Sequence, residues 1–397
     1  MKKKILIIAQ LQVWDIKKNV GKEVVSKTIE AMSKEYDVTI ISPDKSLDFE
    51  NVDHKYLEMN IQFKLNTIKY IGYLVNTVFF YFFYQKIKSI IKKENISADI
   101  VYCIGHWSGF AAKKIFKNKA FIVNRYFGIA WDPKTFFSFR QRLKFFFKLI
   151  SYKKFGNVAV MTNDGTKGRQ FLETIGYPKD KILFIKNGIN KEFSIDEKFI
   201  ENFKEKHNIL PDTNLFLTVS RLAKWKRVNV SIELMEKLIV DYPNSKLLIV
   251  GYGSELNALK ELVIKKNLQD NIIFVGSVSR DEIHNFYSMA NIFLSFYDYS
   301  NAGNPLFEAM LHGKCIITLN NGDTGSFIDK NSCVLLENLD EDQMIKKTQE
   351  VLADKKLRDD LGKAALNKLN ETFQNWNERT STEFNFIEQH YKKYKQN

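Results

Sequence analysis

Eleven short apolar runs, each followed by a longer stretch with helical spacing, constrain this 397-residue chain more than any other feature. Residues 4–9, 37–42, 99–104, 120–124, 157–162 and 182–186 carry the first series. Residues 215–220, 246–251, 271–276, 292–296 and 314–319 carry the second. Runs such as Leu247, Leu248, Ile249 and Val250 are continuously apolar, as a strand covered by helices on both faces must be. Repeated strand–helix units predict parallel sheets joined by right-handed crossovers. At this length, two series of five or six strands point to two doubly wound α/β domains. A single eight-stranded barrel is the competing arrangement. The expected divisions are a first domain over residues 1–190, a linker over 191–212, a second domain over 213–375 and a closing helix over 376–397.

A hydrophobic share of 45% with 27% charged residues excludes a mainly disordered chain. The net charge of +14 is uneven: residues 1–190 hold 33 basic and 16 acidic residues, the remainder 27 and 30. The basic first half implies a polyanionic surface or partner. Cys103, Cys315 and Cys333 lack metal-ligand spacing, and Cys103 and Cys315 lie in apolar runs as buried thiols do. Nothing argues for disulfides, so a reducing compartment fits. The apolar run at residues 5–9 is too short for a signal peptide and reads as a first strand. Residues 70–84 form the longest apolar stretch, which contains Asn76 and falls short of a membrane span. The expectation is a cytoplasmic protein.

Chemistry concentrates where strands end. Gly303 frees the backbone, Asn304 is a good N-cap and Pro305 suits the first helical position, which predicts a helix from Pro305 with Glu308 in its first turn. Unpaired amides at such a start welcome an anion. Arg221 and Lys226 follow the run at 215–220. Two cations from one loop beside a phosphate-accepting helix start point to a nucleoside diphosphate. In α/β folds ligands bind at the carboxyl ends of strands, and Gly21 and His106 also follow strands, those of the first half.

Several elements now combine. Arg221-Leu222-Ala223-Lys224-Trp225-Lys226, Val250-Gly251-Tyr252-Gly253, Phe274-Val275-Gly276 with Arg280-Asp281-Glu282-Ile283, and Asn187-Gly188-Ile189-Asn190 occur in a fixed order. In this order and spacing the second half, over most of residues 213–375, resembles the donor domain of the family 4 retaining glycosyltransferases. The first half matches more loosely. The resemblance implies a GT-B fold, two Rossmann-like domains facing across a cleft. It also implies that Arg221 and Lys226 neutralise the donor diphosphate, where a leaving group develops charge. Glu308 matches the second Glu of the family's paired motif and would accept hydrogen bonds from the donor ribose. Gly303, Asn304, Pro305 and Leu306 would present backbone to the phosphates and sugar. Ser300 stands where the first Glu of that motif belongs, and Asp298 is the nearest carboxylate that could substitute. His106 would lie near the donor sugar, and Gly21 marks a weak match to the family's glycine-rich loop.

No His, Cys, Asp and Glu cluster shows metal-ligand spacing, and the Asp-x-Asp element of metal-dependent sugar transferases is absent at strand ends, so the expectation is a metal-independent enzyme of hexosyltransferase type without a cofactor. A UDP- or GDP-linked sugar would be the co-substrate. The implied reaction is transfer with retention to a saccharide or lipid-linked saccharide in cell-surface glycan synthesis. Arg140, Lys144 and Lys148 share a helical face in an acid-free, Phe-rich stretch, which predicts contact with an anionic membrane, the inner face of the plasma membrane. No nucleic-acid module is visible. The rival readings are a non-catalytic sugar-nucleotide-binding scaffold, suggested by Ser300, and a sugar-nucleotide epimerase of the same two-domain design.

Overall fold

The computed structural model describes residues 2–10, 14–15, 20–21, 23–44, 47–58, 71–105, 107–129 and 155–396. It comprises two compact units. Residues 1–163, 167–188 and 374–397 form the first, residues 164–166 and 189–373 the second.

The first unit contains β1 (Lys4–Ala9), β2 (Trp14–Asp15), β3 (Val20–Gly21), β4 (Asp37–Ser42), β5 (Val52–Tyr56), β6 (Ile100–Ile104), β7 (Phe121–Tyr126), β8 (Val158–Thr162) and β9 (Ile182–Ile185). Apart from the antiparallel pair β2 and β3, these build one parallel sheet in the order β5-β4-β1-β6-β7-β8-β9. Side chains alternate across the sheet, so β1 sends Ile5 and Ile7 to one core and Leu6 and Ile8 to the other. The first of these cores is closed by the helix Trp376–Gln396, whose Phe384, Ile387 and Tyr391 are buried there. The second is closed by the helices Ile71–Lys93 and Ser108–Phe116 through Phe83, Ile87, Ala111 and Ala112.

The second unit repeats the plan with β10 (Asn214–Val219), β11 (Ser245–Val250), β12 (Ile272–Gly276), β13 (Ile292–Ser295), β14 (Cys315–Leu319) and β15 (Val334–Leu336). All pairs are parallel, in the order β12-β11-β10-β13-β14-β15. Strand order reverses between β10 and β13, and the helices that follow these two strands pack on opposite faces of the sheet, the kind of switch point where α/β sheets bind ligands. Two separate open sheets exclude the single barrel. The segment read as a linker packs into this unit. Asp196 accepts from Phe199 N at 2.9 Å and caps the helix Glu197–Lys206, while Ile200 and Ile209 are buried with Leu215 and Phe286.

Candidate functional site

The loop after β10 is held by backbone contacts that only glycine permits. Leu222 N donates to Tyr252 O at 3.1 Å, and Glu255 N donates to Leu222 O at 3.0 Å. Gly251 has φ +136°, and a Cβ added there would lie 1.8 Å from Ser220 O. At Gly253 it would lie 2.2 Å from Leu222 O. The two glycines therefore let the end of β11 press against the loop that presents Arg221. Leu222 is buried and Arg221 exposed, so the anchor is apolar and the cation free to reach a ligand.

Lys226 is half-buried, in an aromatic setting. Its Nζ lies 3.3 Å from the ring centre of Tyr297 and 4.2 Å from that of Trp225. Burial, and next the charge of Arg221, lower its pKa to about 7, while Asp164 opposes them. Tyr297 comes from the neighbouring loop, after β13, and its hydroxyl donates to Val219 O at 2.9 Å. Asp298 N donates to Trp225 O at 2.9 Å. The loops after β10 and β13 are thus stitched together at the switch point. Tyr297 also links the two predicted charges: burial first, then the charge of Glu308, pushes its hydroxyl pKa up.

The carboxylate of Asp298 forms an ion pair with Arg227, a residue in the left-handed region at φ 47°. Ser300 is equally committed, its hydroxyl donating to Asp164 O at 3.1 Å and accepting from Ala302 N at 3.1 Å. Beside it Asn301 is buried and bonded throughout. Its Oδ1 accepts from Tyr297 N at 2.9 Å and Ser295 Oγ at 2.7 Å, and its Nδ2 donates to Asn321 Oδ1 at 2.8 Å. This side chain shapes the loop that carries Tyr297 and Asp298.

The following helix spans Asn304–Leu311 and corrects two sequence expectations. Gly303, in extended backbone, is the N-cap in place of Asn304, which is the first helical residue. Glu308 consequently lies one turn in, outside the first turn. The amide supply at this start is also smaller than expected. Pro305 has no N–H, and Leu306 and Phe307 both donate to Gly303 O, at 3.0 and 3.2 Å. The Leu306 side chain belongs to the core. Anion attraction at this point therefore rests on the cations of the β10 loop more than on helix amides. Tyr287 donates its hydroxyl to Pro305 O at 3.0 Å and lies in the field of the Glu308 carboxylate.

The structure brings Arg221, Lys226, Asp298, Ser300, Gly303, Asn304, Pro305 and Glu308 to one end of the second sheet. Gly21 closes the β2–β3 pair in the first unit. His106 and the face of Arg140, Lys144 and Lys148 lie outside the described residues. Sequence reasoning missed Arg227, Trp225, Tyr297 and Asp164 as members of the site. Asp164 sits in the electrostatic field of Lys226, and burial raises its pKa. The aromatic character of residues 225, 297 and 299 was the available signal. Trp225 also stands 5.9 Å from Tyr299, ring centre to ring centre.

The family described as glycosyl transferases group 1 matches residues 199–368. Over 143 residues the chain is 31% identical to an uncharacterised glycosyltransferase of Methanocaldococcus jannaschii, covering 35% of this chain and 36% of that protein. Over 164 residues it is 28% identical to alpha-monoglucosyldiacylglycerol synthase of Acholeplasma laidlawii, covering 38% and 41%. The chain thus spans about two fifths of the length of these curated relatives. Among solved structures, HepE of Anabaena in complex with UDP and glucose superposes with a TM-score of 0.74 at 12% identity, over 98% of this chain and all of that one. Residues 199–368 thus resemble the group 1 glycosyl transferases, and the chain has the GT-B fold of two Rossmann-like domains.

Proposed function

We propose that the chain is a metal-independent, retaining glycosyltransferase that moves a hexose from a nucleoside diphosphate to a saccharide or lipid-linked saccharide. The observation that carries this reading is the meeting of two loops at the β10–β13 switch point, with Lys226 and Arg221 on one and the approach to Glu308 on the other. In this reading Arg221 and Lys226 take up the charge that develops on the diphosphate as the bond from the anomeric carbon to phosphate oxygen breaks. The acceptor oxygen bonds to the same face of that carbon. Its proton passes to the departing phosphate oxygen, so configuration is retained and no side-chain base is required. Glu308 accepts hydrogen bonds from the ribose hydroxyls. The UDP and glucose in the HepE complex support a nucleotide-sugar donor, here UDP- or GDP-linked. The acceptor implied by the name of the Acholeplasma relative supports a lipid-linked one at a membrane surface.

The test is sugar transfer or donor hydrolysis by purified protein. Lys226→Ala is expected to lower kcat/KM by about a hundredfold or more, the scale of losing one group that stabilises developing charge. One observation favours a second reading, a scaffold that binds nucleotide sugars without turnover. Ser300 and Asp298 are both engaged within the protein, so among the described residues the loop leading to the helix start offers no unpaired carboxylate. A donor-induced thermal shift without turnover, across a panel of acceptors, would select the scaffold.

A further inference from the structure

The helix Ile71–Lys93 has no acidic residue along its length. Its described side chains divide cleanly. Phe83, Ile87 and Ile91 are buried against the first sheet. Tyr81 is 59% exposed, Phe82 is 49% exposed, and Lys86, Lys88, Lys92 and Lys93 are all exposed. Steps of about 100° per residue place these six within one half of the helix circumference, over roughly 18 Å of its length. Two exposed rings at one end, 6.5 Å apart between centres, and four ammonium groups toward the other form a mixed aromatic and cationic face. Glu94, just beyond, is held by Lys55 at 3.7 Å and Lys93 at 3.8 Å.

We infer that this outward face docks the first unit on an anionic lipid bilayer. The inference rests on the proposed lipid-linked acceptor and assigns a surface to it. Charge complementarity decides the occupant. A second copy meeting this face symmetrically would set lysines against lysines. Lipid phosphates satisfy the ammonium groups, while Tyr and Phe rings enter the headgroup boundary, where amphipathic rings are favoured. Lysine stems extend over apolar surface and carry their charges to that boundary.

Co-sedimentation of the full chain with vesicles of phosphatidylcholine alone, or mixed with phosphatidylglycerol, tests the assignment. The expected result is charge-dependent pelleting of the unmodified protein. The variant Lys88→Gln/Lys92→Gln/Lys93→Gln should weaken it at least about tenfold, each lysine near an anionic surface being worth about fivefold. Tyr81→Ser/Phe82→Ser should leave a weaker association that salt abolishes. Thermal melting confirms that each variant is folded, and single lysine substitutions replace any that is not. If unmodified protein and variants bind the anionic vesicles equally, this face is not the docking surface, although the membrane reading stands. If the unmodified protein pellets with neither vesicle while transferring sugar to a water-soluble acceptor, both fall. Loss of binding to double-stranded DNA with unchanged vesicle binding would also overturn the inference.

Discussion

At the scale of single residues, Lys226 is pulled two ways. Burial and Arg221 disfavour its cation, whereas the faces of Tyr297 and Trp225 and the charge of Asp164 favour it, and its pKa settles at about 7. The unfolded chain, with an ordinary lysine, binds more protons than the folded one between pH 7 and the normal lysine range. Folding stability from this group therefore rises with pH across that window, and the cost of burying the charge is fully present below it. A diphosphate beside Nζ favours the cation, so donor binding at slightly alkaline pH should draw in a proton. Calorimetry in buffers of different ionisation enthalpy should register that uptake, and Lys226→Ala should abolish it. Ser300 gives a second residue-scale expectation. Restoring a glutamate there breaks two hydrogen bonds and crowds Gly165, where an added Cβ would already lie 2.2 Å from Ser300 Oγ. Ser300→Glu should lower stability by about 1–3 kcal/mol in urea titration and leave turnover no higher.

Elements explain why some of this was legible in the sequence and some was not. β1, β11 and β13 were readable because strands covered on both faces must be apolar throughout. β5 was not: its Asp53, His54 and Lys55 lie at a sheet edge, where no apolar run is demanded. β15, also an edge strand, is only three residues long. The start of the helix Asn304–Leu311 was misplaced by one residue because Asn304 has the side chain of a good cap, yet the extended Gly303 supplies the carbonyl on which the helix begins. The Arg227–Asp298 pair left no local trace, since its partners meet only when β10 and β13 become neighbours. The glycines of the Val250 to Gly253 turn were readable as a motif, and the contacts supply their reason. Gly251→Ala must move the backbone of Ser220 and with it Arg221. It should cost at least about 2–3 kcal/mol, with loss of donor-induced stabilisation in thermal shift.

Over the whole molecule, the first unit is assembled from both ends of the chain, and the helix Trp376–Gln396 completes its core. That helix also carries two of the unit's buried charges, Arg379 and Glu383. Glu383 is fully buried, accepts from Tyr102 OH and pairs with Arg379, and Arg125 on β7 lies in the same field while donating to Thr162 Oγ1 at 2.7 Å. Burial alone would raise the Glu383 pKa, but Arg379 and Arg125 outweigh it and hold it below the usual carboxylate value. Its stabilisation is thus present above the ordinary carboxylate range and lost as pH falls through the depressed value. Glu383→Gln leaves two guanidinium groups without a counter-charge and should cost about 3–5 kcal/mol. Deleting residues 374–397 goes further. It removes Trp376, Phe384, Ile387 and Tyr391 from the core, at about 1.5–3 kcal/mol each, together comparable with the whole stability of a domain. The second unit, with its own sheet and cores, contains none of these groups. Scanning calorimetry should therefore show two effects of the deletion: one transition lost, and a second, from residues 189–373, kept near its original temperature. Loss of both transitions together would mean that the second unit does not fold on its own contacts.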